Sequence, residues 1–248
     1  MTMAAGVAWW VRLEEPRPYR PVWTLQQRVH AARVAGALPD VLLLLEHRPV
    51  VTLGRAGGAD HLLLAREEFA RRGVELVESD RGGDVTYHGP GQLVAYFLAG
   101  LETVEGDVAR LVRQVEEVAI RVAARFGVRA ARWPGYPGAW CGPAKLAAVG
   151  MRIREGVSLH GMALNVENDL EPFGWIIPCG IEGHGATSLR RESGRPVRLD
   201  EVVPVFVAEA ESVFGWQLLA RREEELEAAL AAFEAAAAGA VDRAGGGC

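Results

Sequence analysis

Two hydrophobic periods alternate along the chain, and the places where one gives way to the other mark its elements. Residues 7–13 read as a strand with paired tryptophans on either face. Pro16, Pro18 and Pro21 then interrupt regular structure. Residues 24–37 follow as a helix, with Thr24 as its cap and Leu25, Val29, Ala32 and Val34 at helical spacing. Residues 41–45 form an unbroken apolar run, the pattern of a strand buried on both faces. A turn at 46–49 separates it from a second strand at 50–54. Residues 65–72 predict a short helix stopped by Gly73, and 74–77 a strand.

The clearest helix covers 107–126. Val108, Leu111, Val115, Val118, Val122 and Phe126 line one face, Asp107 is placed to cap it and Gly127 to stop it. Its charges, among them Arg113, Glu116 and Glu117, fall on the other face and read as solvated. Residues 144–153 and 159–166 predict strands joined by a hairpin turn, and 200–214 another amphipathic helix. From 221 the chain is rich in Glu and Ala, helical by propensity but weakly amphipathic, with a disordered end. Mixed elements without repeats or a linker predict one α+β domain over 1–220, with an extension over 221–248.

Between the strand at 74–77 and the apolar run from Leu93 lies Arg81-Gly-Gly-Asp-Val-Thr-Tyr-His-Gly-Pro-Gly-Gln92. Glycine at this density marks backbone that turns tightly or approaches another group closely. A surface turn before a core strand is one reading. A binding loop that grips a substrate is the other.

At 248 residues, half of them hydrophobic, the chain has the make-up of a soluble globular protein. A net charge of −5 gives no sign of nucleic-acid binding. No segment reaches membrane-spanning length without charge. The three cysteines, Cys141, Cys179 and Cys248, form no pair motif, so a cytoplasmic protein with reduced thiols is expected. Scattered histidines exclude a recognisable metal motif, and the glycine loop fits neither the phosphate-loop nor the dinucleotide pattern.

Few side chains remain for chemistry. Cys179, in Ile-Ile-Pro-Cys-Gly, is either a buried packing residue or a nucleophile whose thiolate needs a nearby cation or oriented N–H donors. Lys145 heads an apolar strand; it is a solvated strand end or, held in a pocket, a proton carrier that serves such a thiolate. Cys141 ranks behind Cys179, because approach to Lys145 needs a turn at Gly142-Pro143. His88, His160 and His184 each precede a glycine, where a hydrogen-bonded turn residue is the commoner case.

Taken in order, RGGDVTYHGPGQLVAY, KLAAVGMRI, SLHGMALNV and PCGI resemble the lipoyl(octanoyl) transferases, and EHRPVVTLGR at 46–55 is similar to the segment before their glycine loop. The resemblance covers about 41–190. It implies a single α+β domain like that of biotin and lipoate protein ligases, with mixed sheets flanked by helices. The implied activity passes an octanoyl group from acyl carrier protein to a lysine of a lipoyl domain, in 2-oxoacid dehydrogenase complexes and the glycine cleavage H protein. No cofactor, nucleic acid or membrane is implied, and a monomer is expected.

By the same resemblance Cys179 is the acyl-thioester nucleophile and Lys145 its proton partner. The acyl site takes Arg81, Gly82, Gly83, Asp84, Val85, Thr86, Tyr87 and His88 from the glycine loop. Ala148, Val149 and Gly150 form a second segment, and His160, Gly161, Met162 and Ala163 a third. Phe97 stands where a proline is common and Met162 where a leucine is frequent; neither touches the catalytic pair, and Met162 bears on acyl length. The alternatives are an ATP-dependent lipoate or biotin ligase on the same fold, a non-catalytic binder, and a transferase that moves the acyl group between carrier domains.

Overall fold

The computed structural model describes residues 6–177 and 185–245. In chain order the elements are β1 (Gly6–Arg12), α1 (Tyr19–Val34), β2 (Asp40–Leu45), β3 (Val50–Leu53), α2 (Arg66–Arg71), β4 (Glu75–Glu78), β5 (Val85–His88) and β6 (Gln92–Leu98). There follow α3 (Val108–Arg125), β7 (Ala131–Trp133), β8 (Tyr136–Cys141), β9 (Ala144–Arg154), β10 (Val157–Asn165), α4 (Leu189–Ser193), α5 (Leu199–Phe214), β11 (Trp216–Arg221) and α6 (Glu223–Gly245).

Eight strands form a mixed sheet in the order β11-β1-β2-β6-β10-β9-β8-β7, and three form a second sheet in the order β4-β3-β5. The apolar run of β2 lies inside the sheet, between β1 and β6, with both its faces covered. Leu42 and Leu44 pack with Val115 and Val118 of α3 and Phe206 of α5, whereas Val41, Leu43 and Leu45 pack with Leu25 and Val29 of α1. Burying a side chain of this size contributes roughly 1.5–3 kcal/mol. The small sheet lies on the α1 side, where Tyr19 packs against Val50 and Val77.

Several sequence expectations hold in detail. Asp107 Oδ1 accepts from the Arg110 N–H at 3.0 Å, and Gly127 takes a left-handed φ of 74° just past α3. The β9–β10 hairpin turns on Glu155 and Gly156, both with positive φ, as a two-residue turn of the mirror-image type demands.

Others are corrected. α1 starts at Tyr19 rather than Thr24, because Pro21 falls in the first turn, where a missing N–H costs nothing. Thr24 donates its hydroxyl to the Arg20 carbonyl within the helix instead of capping it. Residues 85–88 of the glycine stretch are a strand paired with β3, not a loop. Glu116 is not solvated: it accepts from Arg132 Nε and from the Gly138 N–H, both at 3.0 Å, and so ties α3 to the β7–β8 hairpin. α6 lies against α1, with Leu226 and Leu230 fully buried and Arg28 paired to Glu227 and Glu234.

Candidate active site

One cavity lies between the two sheets, on the α1 side of the large one. Its floor is built from rungs of β6, β10 and β9: Val94 opposite Ala163 and Ala148, then Tyr96 opposite Gly161 and Gly150. Small side chains on these rungs leave the room that a leucine or isoleucine would fill. The roof is the stretch from Arg81 to His88.

Backbone approach holds that roof down. The Gly82 N–H donates to the Met151 carbonyl of β9 at 3.0 Å. A Cβ on Gly82 would stand 2.6 Å from the same oxygen, and one on Gly150 would stand 2.7 Å from the Gly82 carbonyl. Arg81 is buried and works as a staple: Nε donates to Thr52 Oγ1 at 3.0 Å, Nη2 to the Thr52 carbonyl at 2.6 Å and Nη1 to the Gly82 carbonyl at 3.0 Å. The glycine stretch is therefore a wall clamped between the sheets.

Polar residues crowd this cavity, yet nearly all their polar atoms are turned to one another. Tyr19 Oη lies 2.8 Å from Ser79 Oγ, and Tyr96 donates its hydroxyl to His47 Nε2 at 2.6 Å. His47 Nδ1–H donates to the Arg17 carbonyl, which fixes that tautomer. His88 Nδ1–H donates to Gln92 Oε1 at 2.8 Å, and Gln92 Nε2 donates in turn to Asn165 Oδ1. His160 Nε2–H donates to Asp80 Oδ1 at 2.7 Å, and Asp80 also pairs with Arg152. Burial holds the His47 imidazole down to about 4, and burial also lowers His88 and His160. Burial raises the hydroxyls of Tyr19 and Tyr96. At neutral pH the imidazole and phenol rings that line the cavity are uncharged, so an apolar chain meets no desolvated ion at those rings.

Lys145 stands at the edge of the cavity. Its backbone N–H donates to the Gly185 carbonyl at 2.8 Å, and its carbonyl accepts from the Thr187 N–H at 3.0 Å. Residues 185–187 thus run beside it as a parallel partner. On the other flank, the Ile177 N–H donates to the His61 carbonyl at 2.9 Å. Cys179 and His184 fall between these anchors in sequence only; they and Cys248 are outside the described residues.

Cys141 sits across the β8–β9 turn, paired with Ala144. Burial, with Glu192 nearby, pushes its thiol up to about 11, so it stays protonated and is a poor nucleophile at neutral pH.

The structure brings together Arg81, Gly83, Asp84, Val85, Thr86, His88, Lys145, Ala148, Val149, Gly150, His160, Gly161, Met162 and Ala163 as lining. Gly82 works from behind through Met151. Tyr87 turns away to pack edge-on against Phe173, 5.7 Å between ring centres. Sequence reasoning passed over Tyr19, Tyr96 and Trp140, which line the cavity, and His47, which buttresses it. Composition held one more signal: Lys145 is the only lysine, every other residue among the 27 Lys and Arg being arginine. An arginine cannot release its proton in a protein, whereas a lysine can.

Comparison with known proteins agrees with this architecture. A profile of the lipoyl protein ligase A/B catalytic domain matches residues 18–211. An octanoyltransferase of Caldicellulosiruptor saccharolyticus is 42% identical over 211 residues, which are 84% of this chain and 90% of that protein. One from Chloroflexus aurantiacus is 46% identical over 199 residues, covering 79% and 89%. A bipartite lipoate protein ligase from Thermoplasma acidophilum shares the fold, with a TM-score of 0.68 at 15% identity over 92% of this chain and 91% of that one. The chain belongs to the lipoyl protein ligase A/B family, among its octanoyltransferases, and is an acyltransferase.

Proposed function

We propose that this enzyme takes an octanoyl group from the thioester of acyl carrier protein, holds it on Cys179, and passes it to a lysine ε-amine of a lipoyl domain. The acceptors are the lipoyl domains of 2-oxoacid dehydrogenase complexes and the glycine cleavage H protein. Cys179 Sγ attacks the donor carbonyl, and the carrier's sulfur leaves. Lys145 takes the Cys179 proton and returns it to the departing thiolate. In the second half the acceptor amine attacks the Cys179 thioester, an amide forms, and Lys145 moves the amine's proton to the Cys179 sulfur. One thioester replaces another and then becomes an amide, so no ATP is consumed. Splitting the transfer lets one carrier leave before the next docks.

The observation that carries this reading is the single lysine at the edge of a cavity floored by small residues. A chain that uses arginine at every other basic position keeps, at this one, the side chain that gives up a proton. The roof and floor support the acyl part: the Arg81 guanidinium, His88 Nδ1 and His160 Nε2 are engaged by protein partners, and Ala148, Gly150, Gly161 and Ala163 leave space for an alkyl chain.

The protein is incubated with octanoyl-acyl carrier protein without ATP, then subjected to mass analysis and peptide mapping. An octanoyl adduct on Cys179 is expected. Cys179→Ser forms none at that position by thioester exchange, and Lys145→Met and Lys145→Arg load at least about a hundredfold more slowly, in keeping with a lost general base. Absence of an adduct until ATP is added would instead make the protein a ligase.

A further inference from the structure

We propose that Trp140 is a positioning residue for Lys145, its indole face holding the ε-ammonium at the cavity edge. The inference rests on the transferase reading, because it assigns Trp140 a part in the proton transfers proposed for Lys145.

The geometry is specific. Lys145 Nζ stands 4.6 Å from the centre of the Trp140 ring, within the range where an ammonium is attracted to the negative face of an aromatic ring. Trp140 and Lys145 face each other across β8 and β9 next to a register shift at Ala139 and Trp140. The ring itself is fixed. Its Nε1–H donates to the Tyr136 carbonyl at 3.1 Å, and Trp133 packs edge-on at 5.2 Å between ring centres. Buried Glu116 anchors the same hairpin through the Gly138 N–H. Only 4% of Trp140 is exposed, and it lines the cavity beside Lys145.

A lysine side chain has four rotatable bonds, and each contact made by its ammonium narrows the positions it samples. A rigid indole narrows that sampling without donating or accepting the proton that Lys145 must exchange. A carboxylate at the same distance would hold the ammonium far more firmly and oppose its deprotonation. An aromatic face thus suits a lysine that has to change charge in each half-reaction.

The test uses the single lysine. Full-length protein grown with ε-13C-lysine gives one lysine signal, which belongs to Lys145. In the unmodified protein the ε-methylene protons are expected upfield of free lysine, shifted by the ring current of the indole. Trp140→Leu returns them to the free value and slows acyl loading of Cys179 about tenfold. KM for the octanoyl donor moves less than kcat. Trp140→Phe, which keeps an aromatic face, retains part of the shift and loads within about threefold of the unmodified protein.

An unshifted signal in the unmodified protein would overturn the proposal, as would equal slowing by Phe and Leu, or none by either. If Trp140→Leu does not fold, Trp140→Phe and Trp140→Tyr decide it: the proposal requires both to keep a shifted signal and near-normal loading. The magnetic resonance arm needs no turnover. A shifted signal combined with undiminished loading by Lys145→Met would sink the transferase roles while leaving the contact itself intact.

Discussion

A histidine that cannot be charged contributes to this site by staying neutral. His47 is fully enclosed, its Nδ1–H spent on a carbonyl and its Nε2 on the Tyr96 hydroxyl. Burial sets its folded value at about 4, against about 6.5 in an unfolded chain. As pH falls, the unfolded chain therefore binds the proton first, and stability that is intact above about 6.5 drains away toward 4. Between pH 7 and pH 5 the loss from His47 alone is about 2 kcal/mol, and His88 and His160 push in the same direction. Urea unfolding at the two pH values checks this. A flat profile would show that burial does not set these histidines.

Single residues also divide what was legible in the chain from what was not. Lys145 and the Arg81–His88 stretch stood out because their residue types conflict with their surroundings: a lone cation on an apolar strand, and glycines packed ahead of a core strand. Trp140 and His47 carried no such conflict. A tryptophan in a strand and a histidine in a turn are ordinary, and only the neighbours that the fold supplies, Lys145 for one and Tyr96 for the other, give them a part.

Among the elements, the strands of the floor argue for a ruler. β10 sets Ala163 on the rung next to Gly161, and β9 sets Ala148 opposite it. Ala163→Leu adds three carbons into the cavity. It is expected to lower kcat/KM for the octanoyl donor about tenfold or more while a butanoyl donor is affected less, since each methylene excluded from an apolar pocket is worth about 1 kcal/mol or more. Competition between the two donors in one assay reads the ratio, and an unchanged ratio would place the acyl chain elsewhere. Element type was mostly legible, because β2, α3 and the β9–β10 hairpin have strong periods and clean caps. β5 was hidden: its four residues sit among glycines, and what makes them a strand is pairing with β3, distant in sequence. α1 began early for a similar reason, a proline being compatible with a first turn as well as with a break.

At the scale of the molecule, the cavity draws its walls from α1, both sheets and residues 185–186. No single segment contains it. α6, the stretch of weakest sequence signal, helps to hold α1 in place, with Leu226 and Leu230 buried against it and Arg17 and Arg28 paired to its glutamates. Weak amphipathicity concealed this, because two fully buried leucines, with Ala229 and Phe233 partly buried beside them, are enough to seat the helix. Truncation after Arg222 is expected to cost roughly 3–6 kcal/mol from the two leucines. Since Tyr19 and Trp23 ride on α1, acyl loading should decline as well. Thermal unfolding and loading rates of the truncated chain test both, and unchanged stability would show that the contact contributes nothing.

The lone lysine has a consequence for the enzyme's surface. On the proposed mechanism the enzyme carries, between its two carriers, an electrophile that any free amine can intercept. The exposed cations that follow residues 185–187 in sequence, Arg190 and Arg191, are guanidiniums, which hold their protons and do not attack a thioester. Apart from the α-amino terminus and Lys145 itself, the protein offers its own intermediate no amine. On that mechanism the acyl group would be stored on a chain almost bare of the one functional group, an amine, that its acceptor presents.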